Sequence, residues 1–137
     1  MEGKMKKLMR TLGVIVMLGV PTQQALSDET GGRVIRIAQL EIDPAQLAAY
    51  QAAVREEITE SVRLEPGVIS IYSVAESDHP NRLHFFEIYA DDAAYKSHIA
   101  SAHFQKYAAT TQSMILSKRL IATQPVQLSP VPTPVGK

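Results

Sequence analysis

The 137-residue sequence predicts an α+β domain of ferredoxin-like order: an antiparallel sheet with its helices on one face. Three observations lead there. Runs rich in β-branched and aromatic residues at 34–42, 68–75 and 82–90 are bounded by turn chemistry. An apolar stripe at steps of three and four separates the first two runs. Alanine-rich helical sequence follows the third run and leads to a last strand.

The chain opens on Lys4, Lys6, Lys7 and Arg10, continues with an apolar run from Leu12 to Val20, and reaches Ala25-Leu26-Ser27 after Pro21. A basic start, a short apolar run and small residues at the cleavage positions predict a secretory signal peptide over 1–27. The expected location is periplasmic or secreted, with no stable membrane anchor after cleavage. The run is shorter than the roughly 20 residues a bilayer span needs. With no cysteine, neither a lipid anchor on a thiol nor a disulfide is available. The whole chain has 14 basic and 14 acidic residues; cleavage removes four basic and one acidic, leaving ten against thirteen. A net charge of −3 offers no basic patch for nucleic acid or an anionic membrane surface. Residues 28–128 are expected to form one domain, and the proline-punctuated end, 129–137, a flexible tail.

Within the domain, 34–42 is the first strand. Asp43-Pro44 places an N-cap before a proline at the first helical position. Leu47, Tyr50, Val54, Ile58 and Val62 then form one stripe of an amphipathic helix, which Pro66-Gly67 ends. Residues 68–75 and 82–90 read as strands two and three around the turn Ser77-Asp78-His79-Pro80-Asn81. Asp91 or Asp92 caps a short helix through His98, and Ser101 caps another from Ala102 to about Ile115. Arg119–Thr123 is expected as the fourth strand and Val126–Leu128 as a short fifth.

Strand three is apolar on both faces: Leu83, Phe85 and Tyr89 point one way, Phe86 and Ile88 the other. Strand two repeats this, with Val68, Tyr72 and Val74 opposite Ile69 and Ile71. No further helix exists to cover a second apolar face. A large exposed patch is rare on a soluble monomer, so a homodimer packed sheet against sheet, forming a shared barrel, is expected.

Three titratable groups stand out as candidate catalytic residues. Glu87 is a carboxylate on a strand of apolar residues, which is costly unless paired or protonated. Its structural alternative is an ion pair with Arg36 or Arg119 on neighbouring strands. His98 and His103 carry imidazole, the side-chain type that titrates near neutrality when unperturbed. His98 is either a proton-transfer group or a half-buried packing residue. His103 lies in the first turn after the Ser101 cap, where free amides disfavour imidazolium and favour a neutral base. Candidate substrate-binding residues are Tyr72 and Tyr89 for their hydroxyls, Phe85 and Phe104 for an apolar wall, and Glu57 at the edge of the helical stripe; core packing is the alternative for the tyrosines. His79 and His84 are expected to be structural or solvated. Glycine-rich phosphate loops and a Gly-x-Ser-x-Gly elbow are absent, and His98 and His103, five apart, fall off one helical face, arguing against zinc.

Glu87-Ile88-Tyr89, the acidic turn, Ala94-Tyr95, then His98, Ser101, His103 and Phe104, with Glu65-Pro66-Gly67 upstream, resemble the antibiotic biosynthesis monooxygenase family over roughly Arg33 to Gln124. That family includes the small quinol monooxygenases and an isomerase of phosphorylated autoinducer-2. The resemblance implies a dimeric α+β barrel, and a histidine at position 98 lining its cavity. It implies a monooxygenase acting on a quinol or polyphenol with oxygen and no cofactor: a base removes a phenolic proton, and the anion itself reduces oxygen. One departure is Ala102, where relatives carry proline after Ser or Thr; alanine starts a helix equally well. Haem-degrading relatives use a tryptophan and an asparagine in the pocket, whereas this chain has no tryptophan and only Asn81, in a turn. Two other readings stay open on the same residues: an isomerase of a small hydroxycarbonyl compound, and a non-catalytic ligand-binding dimer.

Overall fold

The computed structural model of the chain describes residues 32–129, so the expected signal segment and all but Ser129 of the expected tail lie outside them. The elements run β1 (Val34–Ile42), a 3-10 turn (Pro44–Gln46), α1 (Leu47–Leu64), β2 (Val68–Ala75), β3 (Arg82–Tyr89), α2 (Asp92–Ala100), α3 (Ala102–Thr111) and β4 (Ile115–Ala122). The sheet has the order β2-β3-β1-β4, antiparallel throughout. It is the expected α+β ferredoxin-like arrangement, with three α-helices among the described residues and a sheet that is not closed.

Asp43 caps as expected, accepting from the Ala45 amide at 2.9 Å. The proline that follows opens a 3-10 turn rather than α1 itself. The buried face of α1 is rotated from the expected stripe. Tyr50, Val54, Glu57 and Ser61 are buried, and Val62 is 50 % exposed. A polar pair goes inside because it satisfies itself: the Ser61 hydroxyl reaches both the Glu57 carbonyl (2.9 Å) and its carboxylate (2.7 Å). The core between sheet and helices is built on Leu40, Ile42, Tyr50, Val54, Leu83 and Phe85.

The end of the domain differs from expectation. Helix α3 stops at Thr111, and β4 starts at Ile115 instead of Arg119. The cause is a tether: the Met114 carbonyl accepts from the Asp43 amide at 2.8 Å, so pairing with β1 begins at once with Ile42 opposite Ile115. Residues 126–128 are not a strand.

Two irregularities set the faces of the edge strands. In β2, Val68 opposes Tyr89 and Ser70 opposes Ile88, so Ile69 is an extra, bulged residue. Val68 and Ile71 are therefore both buried towards the helices, which corrects the simple alternation expected from the sequence. In β4 the shift falls at Leu116, between the Ile42–Ile115 and Glu41–Ser117 pairs. The face away from the helices carries Tyr72 and Val74, exposed by 62 % and 61 %, beside Phe86, and no helix of the described residues covers it.

Candidate active site

The site forms where the end of α1 meets the α2–α3 junction. Glu57 and Ser61, four residues apart, share one face of α1, and Glu65, four further on, is the residue that caps its end. Glu65 precedes a proline, which disfavours the helical conformation, and it leaves the helix with extended dihedrals (φ −108°, ψ 101°). Gly67 then passes against α2, where an added Cβ would sit 2.5 Å from that of Ala94. The Ala90 amide donates to the Gly67 carbonyl at 2.8 Å. This turn seats α2 against the end of α1.

Ser101 ends one helix and starts the next. Its amide donates to the His98 carbonyl (3.0 Å), and its hydroxyl accepts from the Phe104 amide (3.3 Å). The chain bends there, so His98 and His103 approach Glu65 from two different helices. His98 Nδ1 lies 3.0 Å from Glu65 Oε1, and His103 Nε2 lies 2.5 Å from the same oxygen. The expectation that a spacing of five keeps these histidines apart does not hold, because the bend replaces helical pitch as the rule of geometry.

A carboxylate only accepts, so Nδ1 of His98 carries a proton towards Glu65. In the neutral ring Nε2 then holds the lone pair. That nitrogen is 3.6 Å from Glu57 Oε1, beyond hydrogen-bonding distance. His98 itself is 3 % exposed and packs against Tyr89 and Phe104, with ring centroids at 5.2 Å and 5.0 Å.

A cavity of about 80 Å³ opens between this corner and the sheet. Its walls include Glu57, Phe85, Glu87, Tyr89, His98 and Phe104. Burial is the main cause that raises the Glu57 and Glu87 carboxyls above the ordinary range. The Tyr89 hydroxyl donates to Glu87 at 2.8 Å and opposes that rise. Burial, followed by the Glu87 charge, pushes the Tyr89 hydroxyl far upward, so it remains a donor. Tyr107 is also raised, chiefly by burial, and its hydroxyl is 2.7 Å from that of Tyr50.

Of the residues expected from sequence, His98, Glu87, Glu57, Tyr89, Phe85 and Phe104 meet at this cavity. His103 does not line it; it faces a second, smaller cavity that shares Glu57 and Tyr107 with the first. Tyr72 is on the far face of the sheet, opposite Phe86, and is removed from the cavity of its own chain. Glu87 is not paired with arginine. Arg36 stands opposite it in register, but its guanidinium lies over the Tyr95 ring at 4.7 Å, and Arg119 pairs with Gln39 on the other face. His84 is on the outer face, 2.9 Å from Glu76. Sequence reasoning missed Glu65 as a site residue. The Glu57–Ser61–Glu65 spacing was the available signal, since it aligns two carboxylates with a hydroxyl between them. Lys118, at the cavity edge, was missed because the start of β4 was set one residue after it.

The chain belongs to the antibiotic biosynthesis monooxygenase family, whose model matches residues 33–110. A solved structure from Bacteroides thetaiotaomicron, assigned to the same family, is 43 % identical with a TM-score of 0.72, over 76 % of this chain and 99 % of that one. A monooxygenase structure from Lactobacillus acidophilus is 32 % identical (TM-score 0.66), over 67 % of this chain and 44 % of that longer one. A Mycobacterium tuberculosis structure at 24 % identity shares the fold, with a TM-score of 0.66 over 72 % of this chain and 99 % of that one. No curated protein matches the sequence.

Proposed function

We propose that the protein is a cofactor-independent monooxygenase of a small quinol or polyphenol. The observation that carries this reading is the Glu65–His98 pair beside an aromatic cavity. Glu65 fixes the Nδ1 proton and leaves Nε2 as the base, the same division of labour as in a carboxylate–histidine pair of a hydrolase. His98 takes the phenolic proton. The resulting anion gives one electron pair to oxygen as the C–O bond of a hydroperoxide forms. The C–H bond at that carbon gives the second pair as the O–O bond breaks, so one oxygen atom stays on carbon, the other leaves as water with the two substrate hydrogens, and the quinol ends as a hydroxylated quinone. Tyr89 and the Glu87 carboxyl orient the substrate oxygen, and Phe85 and Phe104 hold the ring. Lys118, the lysine at the cavity edge, favours the anionic form by charge.

The cavity is smaller than the roughly 150 Å³ that admits benzene, so its aromatic wall must part to admit a ring. One lysine on the cavity wall does not make a phosphate site, which favours the oxygenase reading over isomerisation of a phosphorylated hydroxycarbonyl compound. The working form in this reading is a homodimer, with the outer face around Tyr72, Val74 and Phe86 covered by a second copy.

Oxygen uptake with a panel of dihydroquinones tests the chemistry. His98→Ala should lose about 100-fold or more of turnover, the usual effect of removing a general base. Equal uptake by wild type and His98→Ala would remove the imidazole from the mechanism.

A further inference from the structure

The corner that orients His98 also has the makings of a metal site. Glu65, His98 and His103 offer one ligand atom each, and the three atoms lie within 4.8 Å of one another. Two imidazoles and a carboxylate suit a borderline divalent ion such as Zn²⁺, Co²⁺ or Ni²⁺ rather than Ca²⁺ or Mg²⁺. Zinc bonds of about 2.0–2.2 Å place tetrahedral ligand atoms roughly 3.3 Å apart. The present separations from Glu65 Oε1 are 3.0 Å for His98 and 2.5 Å for His103, so the His103 ring need recede by less than the width of an atom.

A second and independent feature supports the same site. Metal-bound histidines usually turn their other ring nitrogen to a carboxylate. The nitrogen of His98 on the side away from Glu65 faces Glu57 Oε1 at 3.6 Å, a little beyond hydrogen-bonding distance in the ion-free protein, and that carboxyl group is itself held by Ser61 at 2.7 Å. The donors are also held in place before any ion arrives: His98 is enclosed, His103 keeps 15 % exposure beside the second cavity, and Glu65 keeps 13 %.

We propose that Glu65, His98 and His103 bind one divalent ion of the Zn²⁺ class, and that binding moves the His98 proton from Nδ1 to Nε2. The second half follows from the first. An ion on Nδ1 displaces the proton there, and the neutral ring then carries its hydrogen on Nε2, directed at Glu57. The lone pair that faces the cavity is lost, so the ion acts as an off-switch for the base and not as a cofactor. The binding itself does not rest on the oxygenase reading; only the silencing does.

Chelator-treated protein should take up one Zn²⁺ per chain in equilibrium dialysis with metal analysis. Nitrogen-15 spectra of the imidazoles should move the His98 proton to Nε2 as Zn²⁺ is added. His103→Asn, at a side chain that keeps 15 % exposure, should abolish uptake with the circular dichroism spectrum unchanged. Glu57→Gln should weaken uptake by about 10- to 100-fold, the usual effect of losing an outer carboxylate. His84→Asn, on the other face of the sheet, should leave it intact. Substoichiometric uptake, uptake that survives His103→Asn, or a His98 proton that stays on Nδ1 in the loaded protein would each overturn the proposal. Absence of oxygen uptake by the metal-free protein would count against the oxygenase and leave the ion site standing on its own data.

Discussion

Glu65→Gln isolates the pair on which the chemistry depends. It keeps the size of the side chain and removes its charge. In the wild type one oxygen accepts from two imidazoles, at 3.0 Å and 2.5 Å, in a place only 13 % exposed. Hydrogen bonds to a charged group are worth about 1.5–3 kcal/mol each, against about 0.5–1.5 for neutral ones. Two such exchanges cost about 2–3 kcal/mol in all. For a domain of this size that lowers the melting temperature by about 10–20 °C. The amide also brings a donor where the carboxylate had only acceptors. Turned towards His98, it draws the lone pair to Nδ1 and sends the proton to Nε2, which disables the base. Turnover should fall by about 100- to 10,000-fold, with the substrate KM changed little, because Glu65 does not line the principal cavity. Differential scanning calorimetry and oxygen uptake on the same preparation read both effects. A melting temperature within about 2 °C of wild type together with unchanged turnover would refute the claim that Glu65 holds and polarises the two imidazoles.

The remaining predictions follow from particular contacts. Gly67→Ala places a methyl 2.5 Å from the Ala94 Cβ and should cost about 1–3 kcal/mol by chemical denaturation; a loss below about 0.5 kcal/mol would show that the turn yields freely. Glu87 has its carboxyl raised by burial, so its protonation stabilises the fold at acid pH and that contribution is lost as pH rises through its elevated value. Glu87→Gln should therefore be less pH-sensitive than wild type above the ordinary carboxylate range, and parallel stability curves for the two proteins would contradict the raised value. Phe86→Asp should leave a monomer or an aggregate by light scattering, and a wild type that is monomeric at micromolar concentration would dispose of the sheet-to-sheet dimer.

The sequence made much of this legible where local chemistry is strong. β1 and β2 match their expected bounds because β-branched runs end at Asp43-Pro44 and at the polar turn after Ala75. Asp91 and Ser101 act as the caps their positions announced. The principal cavity collected six of the eight residues singled out beforehand. What escaped was decided by particular hydrogen bonds and by an irregular strand pairing. The start of β4 depends on the Met114–Asp43 hydrogen bond, which joins residues far apart in the chain. Val62 lies outside the core because the Ser61–Glu57 hydrogen bond offsets part of the cost of burying that pair, a compensation that an apolar stripe does not register. Tyr72 is displaced from the cavity by a bulge three residues before it, and bulges leave little trace in an alternating pattern.

That bulge also says where the length of this chain can change in its lineage. Ile69 is the one residue of β2 with no partner across the strand pair. A relative without it would keep Val68 opposite Tyr89 and Ser70 opposite Ile88, with regular alternation and every later pair intact. The same deletion placed inside α1 would turn the residues after it by about 100° and carry Glu65 out of line with Glu57. Placed further along β2, it would exchange the wet and dry sides of everything beyond. An alignment of distant relatives should therefore open its gap at Ile69, beside the Glu65-Pro66-Gly67 turn and never within it.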